Sequence, residues 1–126
     1  MAFLRKILVV GMQNTCRSIV TAEVIKKAAK EKGVSNLEVE SAGVMAFPGI
    51  PLEPDAAAQL KNMGIEGEFT SNPLTKPAVS GAELIITMTE KIKNAISAKF
   101  PDKASFVVTL KELAGEEQKD LARKFL

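Results

Sequence analysis

The hydrophobic residues of this chain fall into short aliphatic runs, separated by longer stretches in which apolar residues recur at helical spacing. The first run ends at residues 7–10 (ILVV), four consecutive aliphatic side chains. Such a run is typical of a strand that is buried on both faces, as in a parallel sheet. We therefore predict a first strand over residues 3–10.

The stretch that follows has the pattern of an amphipathic helix. Residues 18–32 place Ile19, Ala22 and Ile25 near one face, with lysine and glutamate between them. Gly33 comes directly afterwards, and glycine commonly ends a helix. This pattern predicts a helix over residues 18–32.

The rest of the chain repeats this alternation. Predicted strands cover 37–41, 84–88 and 105–110, predicted helices cover 54–64, 91–100 and 115–126, and a loop rich in glycine and proline covers 42–51. Strands that alternate with helices indicate an α/β fold. We predict a single domain over residues 1–126, a three-layer, doubly wound, four-stranded parallel sheet of Rossmann-like type. Ligands are expected outside the carboxyl ends of its strands.

Charge and composition narrow the range of partners. The chain has 126 residues, and its 17 Lys and Arg are interspersed with 15 Asp and Glu, giving a net charge of +2. This balance argues against a nucleic-acid partner. The four aliphatic residues of the first run are too few for a signal peptide or a membrane span. We expect a cytoplasmic protein without a membrane partner.

The chain has one cysteine and no histidine, which limits its chemistry. An internal disulfide, a Cys-rich zinc site, a Ser-His-Asp triad and a Cys-His pair are all excluded. We expect no metal and no cofactor. Catalysis would have to come from Cys16, carboxylates, lysine, arginine or backbone dipoles.

The segment between the first strand and the first helix is the candidate site. Amides at a helix start attract an oxyanion, and the guanidinium of Arg17 suits two phosphate oxygens. The predicted anion-binding residues are Gly11, Met12, Gln13, Asn14, Thr15, Cys16, Arg17 and Ser18. One alternative is an ordinary βα turn, a geometry common to such folds, in which Arg17 is a solvated side chain or caps another carbonyl. A second is a repacked loop, in which Met12 or Gln13 fills the cavity and Arg17 pairs with a local carboxylate.

This segment resembles the signature of the low-molecular-weight protein tyrosine phosphatases, in which a strand is followed by Cys-x5-Arg-Ser or Thr and a helix. The family usually has Val-Cys-x-Gly-Asn-x-Cys-Arg-Ser where residues 10–18 read VGMQNTCRS. Further similar segments follow in the same order: SAG at 41–43, GI at 64–65, SNPLT at 71–75, AELIITM at 82–88 and VTLKE at 108–112. The bacterial branch, which includes protein arginine phosphatases and relatives that reduce arsenate, is the most similar.

Several departures from the family pattern predict loss of catalysis. The resemblance places the nucleophilic cysteine at Gly11, which has no side chain, so a phosphocysteine cannot form there. The family's acid loop, Asp-Pro-aromatic, is missing from residues 113–120, and Asp120 is not assigned its role. Gln13 replaces a glycine, and its Cβ resists a positive φ. Phe47 is the one aromatic residue expected at the pocket rim.

The resemblance also implies roles for the remaining loop residues. Asn14 would hold the turn by side-chain hydrogen bonds, Arg17 would clamp the anion, and Ser18 would become an ordinary N-terminal hydroxyl. Cys16 lies beside Arg17 near a helix start, which would lower the pKa of an exposed thiol. A buried, inert Cys16 is the alternative.

We therefore expect a catalytically silent, phosphatase-like protein that either retains a loop for phosphate or a phosphorylated ligand or acts as a binding module for a protein partner. The alternative is a weakly active phosphatase or arsenate-reductase-like enzyme that uses Cys16 or direct attack by water.

Overall fold

The computed structural model describes residues 5–115. Its four strands are β1 (Arg5–Gly11), β2 (Leu37–Gly43), β3 (Leu84–Thr87) and β4 (Val107–Thr109). They form one parallel sheet in the order β2-β1-β3-β4. The predicted α/β class and four-stranded parallel sheet are confirmed.

Helices cover both faces of this sheet. They are α1 (Arg17–Glu31), α2 (Pro54–Asn62), α3 (Lys76–Gly81), α4 (Glu90–Lys99) and α5 (Leu110–Ala114), and a 3₁₀ helix spans Pro101–Phe106. Successive residues of β1 point to opposite faces. Leu8 therefore joins the core that contains Ile92 of α4, whereas Val9 joins the core that contains Ala22 of α1. The result is the predicted three-layer architecture.

The strand order determines where a ligand site can form. Val10 of β1 pairs with Thr87 of β3 on one side, and Gly11 pairs with Gly43 of β2 on the other. The chain thus winds in opposite directions from β1, and a crevice opens at the carboxyl end of such a strand. The loop that follows β1 lies at this point.

Some predicted elements are wrong in detail. The last strand was predicted over 105–110, but the 3₁₀ helix ends at Phe106 and Thr109 already caps α5. Helix α3 was not predicted. The closing helix was predicted over 115–126, yet α5 ends at Ala114, and residues 116–126 lie outside the described part. Within the described residues, no helix is long and apolar enough to cross a membrane.

Candidate functional site

The eight residues predicted to bind an anion surround one cavity. Residues 11–18, which connect β1 to α1 and are here called the β1–α1 loop, all line a cavity of about 310 Å³. Glu53, Met88, Thr89 and Ile92 complete its wall. The structure brings the eight predicted residues together at one cavity, and their binding of an anion stays a prediction. The sequence pointed to none of the four additional residues.

Carbonyl groups of this loop, and of Val10 just before it, accept hydrogen bonds from neighbouring segments. The acceptors are the oxygens of Val10, Gly11, Met12 and Thr15, and their donors are the amides of Met88 (3.0 Å), Val44 (3.0 Å), Met45 (2.8 Å) and Glu53 (2.9 Å), respectively. By contrast, the amides of residues 13–18 have no acceptor among the described residues. Hydrogen bonds therefore hold carbonyl oxygens of the loop in place, whereas its amide donors remain available to bind an anion.

Asn14 holds the turn. Its side chain is 2% exposed, its Nδ2 donates to Ser18 Oγ at 2.8 Å, and its Oδ1 accepts from the Asn72 amide at 2.7 Å. The predicted role of Asn14 is thus confirmed. Its φ of 58° is the only positive φ of a non-glycine residue in the described part. The expected conflict at Gln13 was wrong, because Asn14 adopts the left-handed conformation, which asparagine tolerates.

Gly43 allows the end of β2 to approach the loop backbone. A Cβ at this position would lie 2.7 Å from the Met12 oxygen and 3.0 Å from the Asn14 nitrogen. Real Cβ atoms do not approach backbone this closely. The glycine of the SAG segment is therefore a packing requirement of the β1–α1 loop.

Gly11 lies at the end of β1 against Ser18. A Cβ at Gly11 would be 2.9 Å from Ser18 Oγ and 3.6 Å from Met88 Cγ. Ser18 is 2% exposed and accepts the hydrogen bond from Asn14. The expectation of an ordinary N-terminal hydroxyl was wrong, because Ser18 is buried within the loop and occupies the space beside Gly11.

Cys16 is half-buried, and its surroundings raise the pKa of its thiol. The main cause is burial, followed by the nearby acceptor and negative charge of the Glu53 carboxylate; Arg17 acts in the opposite direction but is outweighed. A lowered pKa was expected only for an exposed thiol; Cys16 is half-buried, and the raised pKa agrees with the inert alternative. Glu53 was missed because it is distant in sequence, and the one local signal, an acidic residue before Pro54, indicates only a helix start.

The other side chains leave the cavity open. Arg17 is exposed and forms no ion pair with any other residue in the range 5–115. Met12 is 40% exposed, and Gln13 is also exposed. The repacked alternative, with Met12 or Gln13 filling the cavity and Arg17 paired, is therefore not observed. Phe47 is 76% exposed and does not line the cavity, so its role at the rim stays a prediction.

The fold and this loop define a phosphatase-like α/β protein, and comparison with known proteins identifies the family. The low molecular weight phosphotyrosine protein phosphatase family matches residues 6–122. The chain belongs to this family.

Two curated relatives illustrate the similarity. A protein-arginine-phosphatase of Bacillus subtilis is 34% identical over 112 residues, which are 89% of this chain and 74% of the relative. A probable low molecular weight protein-tyrosine-phosphatase, EpsP of Ralstonia solanacearum, is 34% identical over 122 residues, which are 96% of this chain and 81% of the relative.

Solved structures agree with the observed fold. The crystal structure of a YwlE mutant from Bacillus subtilis has a TM-score of 0.80 at 33% identity, covering 86% of this chain and 72% of that one. The low molecular weight protein tyrosine phosphatase from T. tengcongensis has a TM-score of 0.81 at 30% identity, covering 88% and 76%.

Proposed function

We propose that this protein binds phosphate or a related oxyanion in the β1–α1 loop without hydrolysing phosphoesters. One observation carries the proposal: among residues 5–115 the amides of residues 13–18 and the guanidinium of Arg17 have no partner, and the strand before this loop ends in a glycine. The loop retains the means to bind an anion and lacks the side chain that would attack it.

The binding part of the proposal follows from charge and geometry. Helix α1 begins at Arg17, so its N-terminal amides and dipole favour a negative ligand at the cavity. The guanidinium of Arg17 provides parallel donors for two oxygens. Relatives named as arginine and tyrosine phosphatases act on phosphorylated substrates, which supports phosphate as the ligand.

The proposed lack of hydrolysis follows from the two positions, 11 and 16, at which a cysteine nucleophile could stand. Gly11 has no nucleophile, and Ser18 already fills the adjacent space. Cys16 has its thiol proton held by burial and by Glu53, whereas a nucleophilic cysteine must be a thiolate. The acid loop expected to be missing lies outside the described residues, so the proposal does not depend on it.

A surface for a protein partner is a second proposal. Nine large hydrophobic side chains are exposed in the described part, and five of them lie in the β1–α1 loop or in the segment 44–50 beside it: Met12, Val44, Met45, Phe47 and Ile50. Such clustering favours an interaction surface.

Anion titration tests the binding part. We expect phosphate and vanadate to bind the wild type in calorimetry, and Arg17→Ala to weaken that binding about tenfold or more, because a charge-assisted hydrogen bond is lost. The matched control is Lys30→Ala, which removes one positive charge from the opposite end of α1. Equal binding by wild type and Arg17→Ala would exclude this loop as the site.

Hydrolysis of a small aryl phosphate tests the silent part. We expect the wild type and Cys16→Ser to show the same rate, no higher than that of Arg17→Ala. Brisk hydrolysis that Cys16→Ser abolishes would identify Cys16 as a nucleophile. Hydrolysis that survives in Cys16→Ser would indicate attack by water. Either result would overturn the silent assignment.

A further inference from the structure

The carboxylate of Glu53 belongs to the β1–α1 loop rather than to the helix it precedes. Its amide donates to the Thr15 oxygen at 2.9 Å, its negative charge acts on the Cys16 thiol and helps to raise the pKa of that thiol, and it lines the same cavity as Arg17. Glu53 is also the N-cap residue of α2, yet its side chain makes no capping hydrogen bond. An acidic group is therefore present in a cavity otherwise suited to anions.

An ionised carboxylate can only accept hydrogen bonds, which gives it a selective effect on oxyanions. Hydrogen phosphate and sulfate carry the same charge, so Glu53 repels both. Hydrogen phosphate still has a proton to donate, whereas sulfate at neutral pH has none. A site that hydrogen-bonds a ligand hydroxyl rejects an analogue that lacks it, because the polar group of the site is then left facing only repulsion.

We propose that Glu53 makes the β1–α1 loop selective for oxyanions that carry a proton, such as hydrogen phosphate and hydrogen arsenate, over fully ionised ones such as sulfate and selenate. The inference rests on the proposed oxyanion binding and adds the residue that discriminates among anions. The two oxygens of a carboxylate offer about four lone-pair sites, which is enough to accept a hydrogen bond from a ligand hydroxyl.

The need for a ligand proton also predicts that the loop binds free inorganic phosphate more tightly than phosphomonoesters. A phosphomonoester loses its last proton at a pKa of about 6. At neutral pH most of it therefore has no hydroxyl to offer Glu53, whereas inorganic phosphate retains one. The ligand class that fits this loop best is a free, protonated inorganic oxyanion.

Calorimetric titration with phosphate, arsenate, sulfate and selenate tests the inference. We expect the wild type to bind phosphate and arsenate about tenfold more tightly than sulfate and selenate, a modest ratio because Glu53 is exposed. In Glu53→Gln the ratio should approach one, because the amide can donate to either kind of anion and sulfate binding is strengthened. Glu53→Ala should also lose selectivity, without a donor to strengthen sulfate binding.

Asp55→Asn is the matched control. Asp55 acts on Cys16 through charge and does not line the cavity. Its neutralisation should strengthen all four anions equally and leave the ratio unchanged. Since the Glu53 side chain caps no helix, its variants should stay folded, which circular dichroism checks.

Each failure has a separate meaning. Equal wild-type affinities for phosphate and sulfate, or selectivity that persists in both Glu53 variants, would overturn the inference and leave oxyanion binding intact. If neither wild type nor Glu53→Gln binds any of the four anions, the proposed function fails and the inference fails with it.

Discussion

Asn14 makes the loop conformation possible by combining two properties that few residues share. It tolerates a left-handed backbone, with φ at 58°, and its side-chain amide forms one hydrogen bond as a donor and another as an acceptor. It donates to Ser18 Oγ within the loop and accepts from the Asn72 amide in the segment between α2 and α3. The shape of the anion site therefore depends on this one buried side chain.

Asn14→Ala should lower the free energy of unfolding by about 2–4 kcal/mol. It removes two hydrogen bonds, leaves the Asn72 amide without this acceptor, and places a Cβ-bearing residue without a polar side chain at positive φ. Urea denaturation measures the change.

Asn94→Ala is the control for Asn14→Ala. Asn94 is exposed within α4, where alanine is the better helix former, so its replacement should change stability by less than about 0.5 kcal/mol. A similar small effect at Asn14 would mean that the loop holds its shape without that side chain.

At the scale of elements, α5 depends on one glutamate that links three segments. Glu112 completes a capping box with Thr109 at the end of β4, and its Oε1 accepts from Lys93 Nζ of α4 at 2.8 Å. The hydrogen bond from Lys93 is the main cause that lowers the pKa of Glu112, and the bonds from Thr109 add to it against the opposing effect of burial. The folded protein therefore favours the ionised carboxyl.

This pKa shift predicts an acid-sensitive contribution to stability. Because the folded pKa lies below the unfolded one, about 4.3 for glutamate, the contribution is complete above that pH and is lost as pH falls through the folded pKa. Glu112→Gln should therefore reduce stability at pH 7 by about 1 kcal/mol and make the acid loss of stability smaller. Urea denaturation across this pH range measures both effects.

Glu66→Gln serves as the control for Glu112→Gln, since Glu66 is exposed and forms no ion pair within residues 5–115. It should leave the pH dependence unchanged. An acid loss of stability that is identical in Glu112→Gln and wild type would show that the carboxyl does not contribute.

The sequence predicted features that depend on residues close together in the chain, and it missed those that depend on contacts between distant residues. Aliphatic runs such as residues 7–10 predict strands because burial on both faces demands them. Helix α3 has only six residues, too few to show periodicity, although Thr75 caps it. Arg17 is adjacent to Cys16 and so was visible, whereas Glu53 reaches that thiol only through the fold. The burial of the Cys16 thiol and the effect of Glu53 on its pKa could therefore not be predicted from the local sequence.

At the scale of the whole molecule, the candidate site is joined to most of the fold. Segments after β2 and before α2 donate to its carbonyls through Val44 and Glu53, and the segment after β3 donates through Met88 to the carbonyl of Val10 that precedes it. A ligand in the β1–α1 loop would therefore bind a structure that exists only when the sheet and these connections are assembled. Binding of that kind stabilises the native state by mass action.

This coupling predicts a rise in the melting temperature with phosphate. At a concentration one hundred times Kd the native state gains about 2.7 kcal/mol, which corresponds to roughly 10 °C for a chain of this size. Phosphate also stabilises proteins by exclusion from their surface. Arg17→Ala separates the two effects, because exclusion should persist in this variant, whereas a tenfold weaker affinity should reduce the specific part to about 1.4 kcal/mol or less. Lys30→Ala should retain the full shift. A shift of equal size in Arg17→Ala would assign all of the stabilisation to exclusion and leave the loop without a ligand.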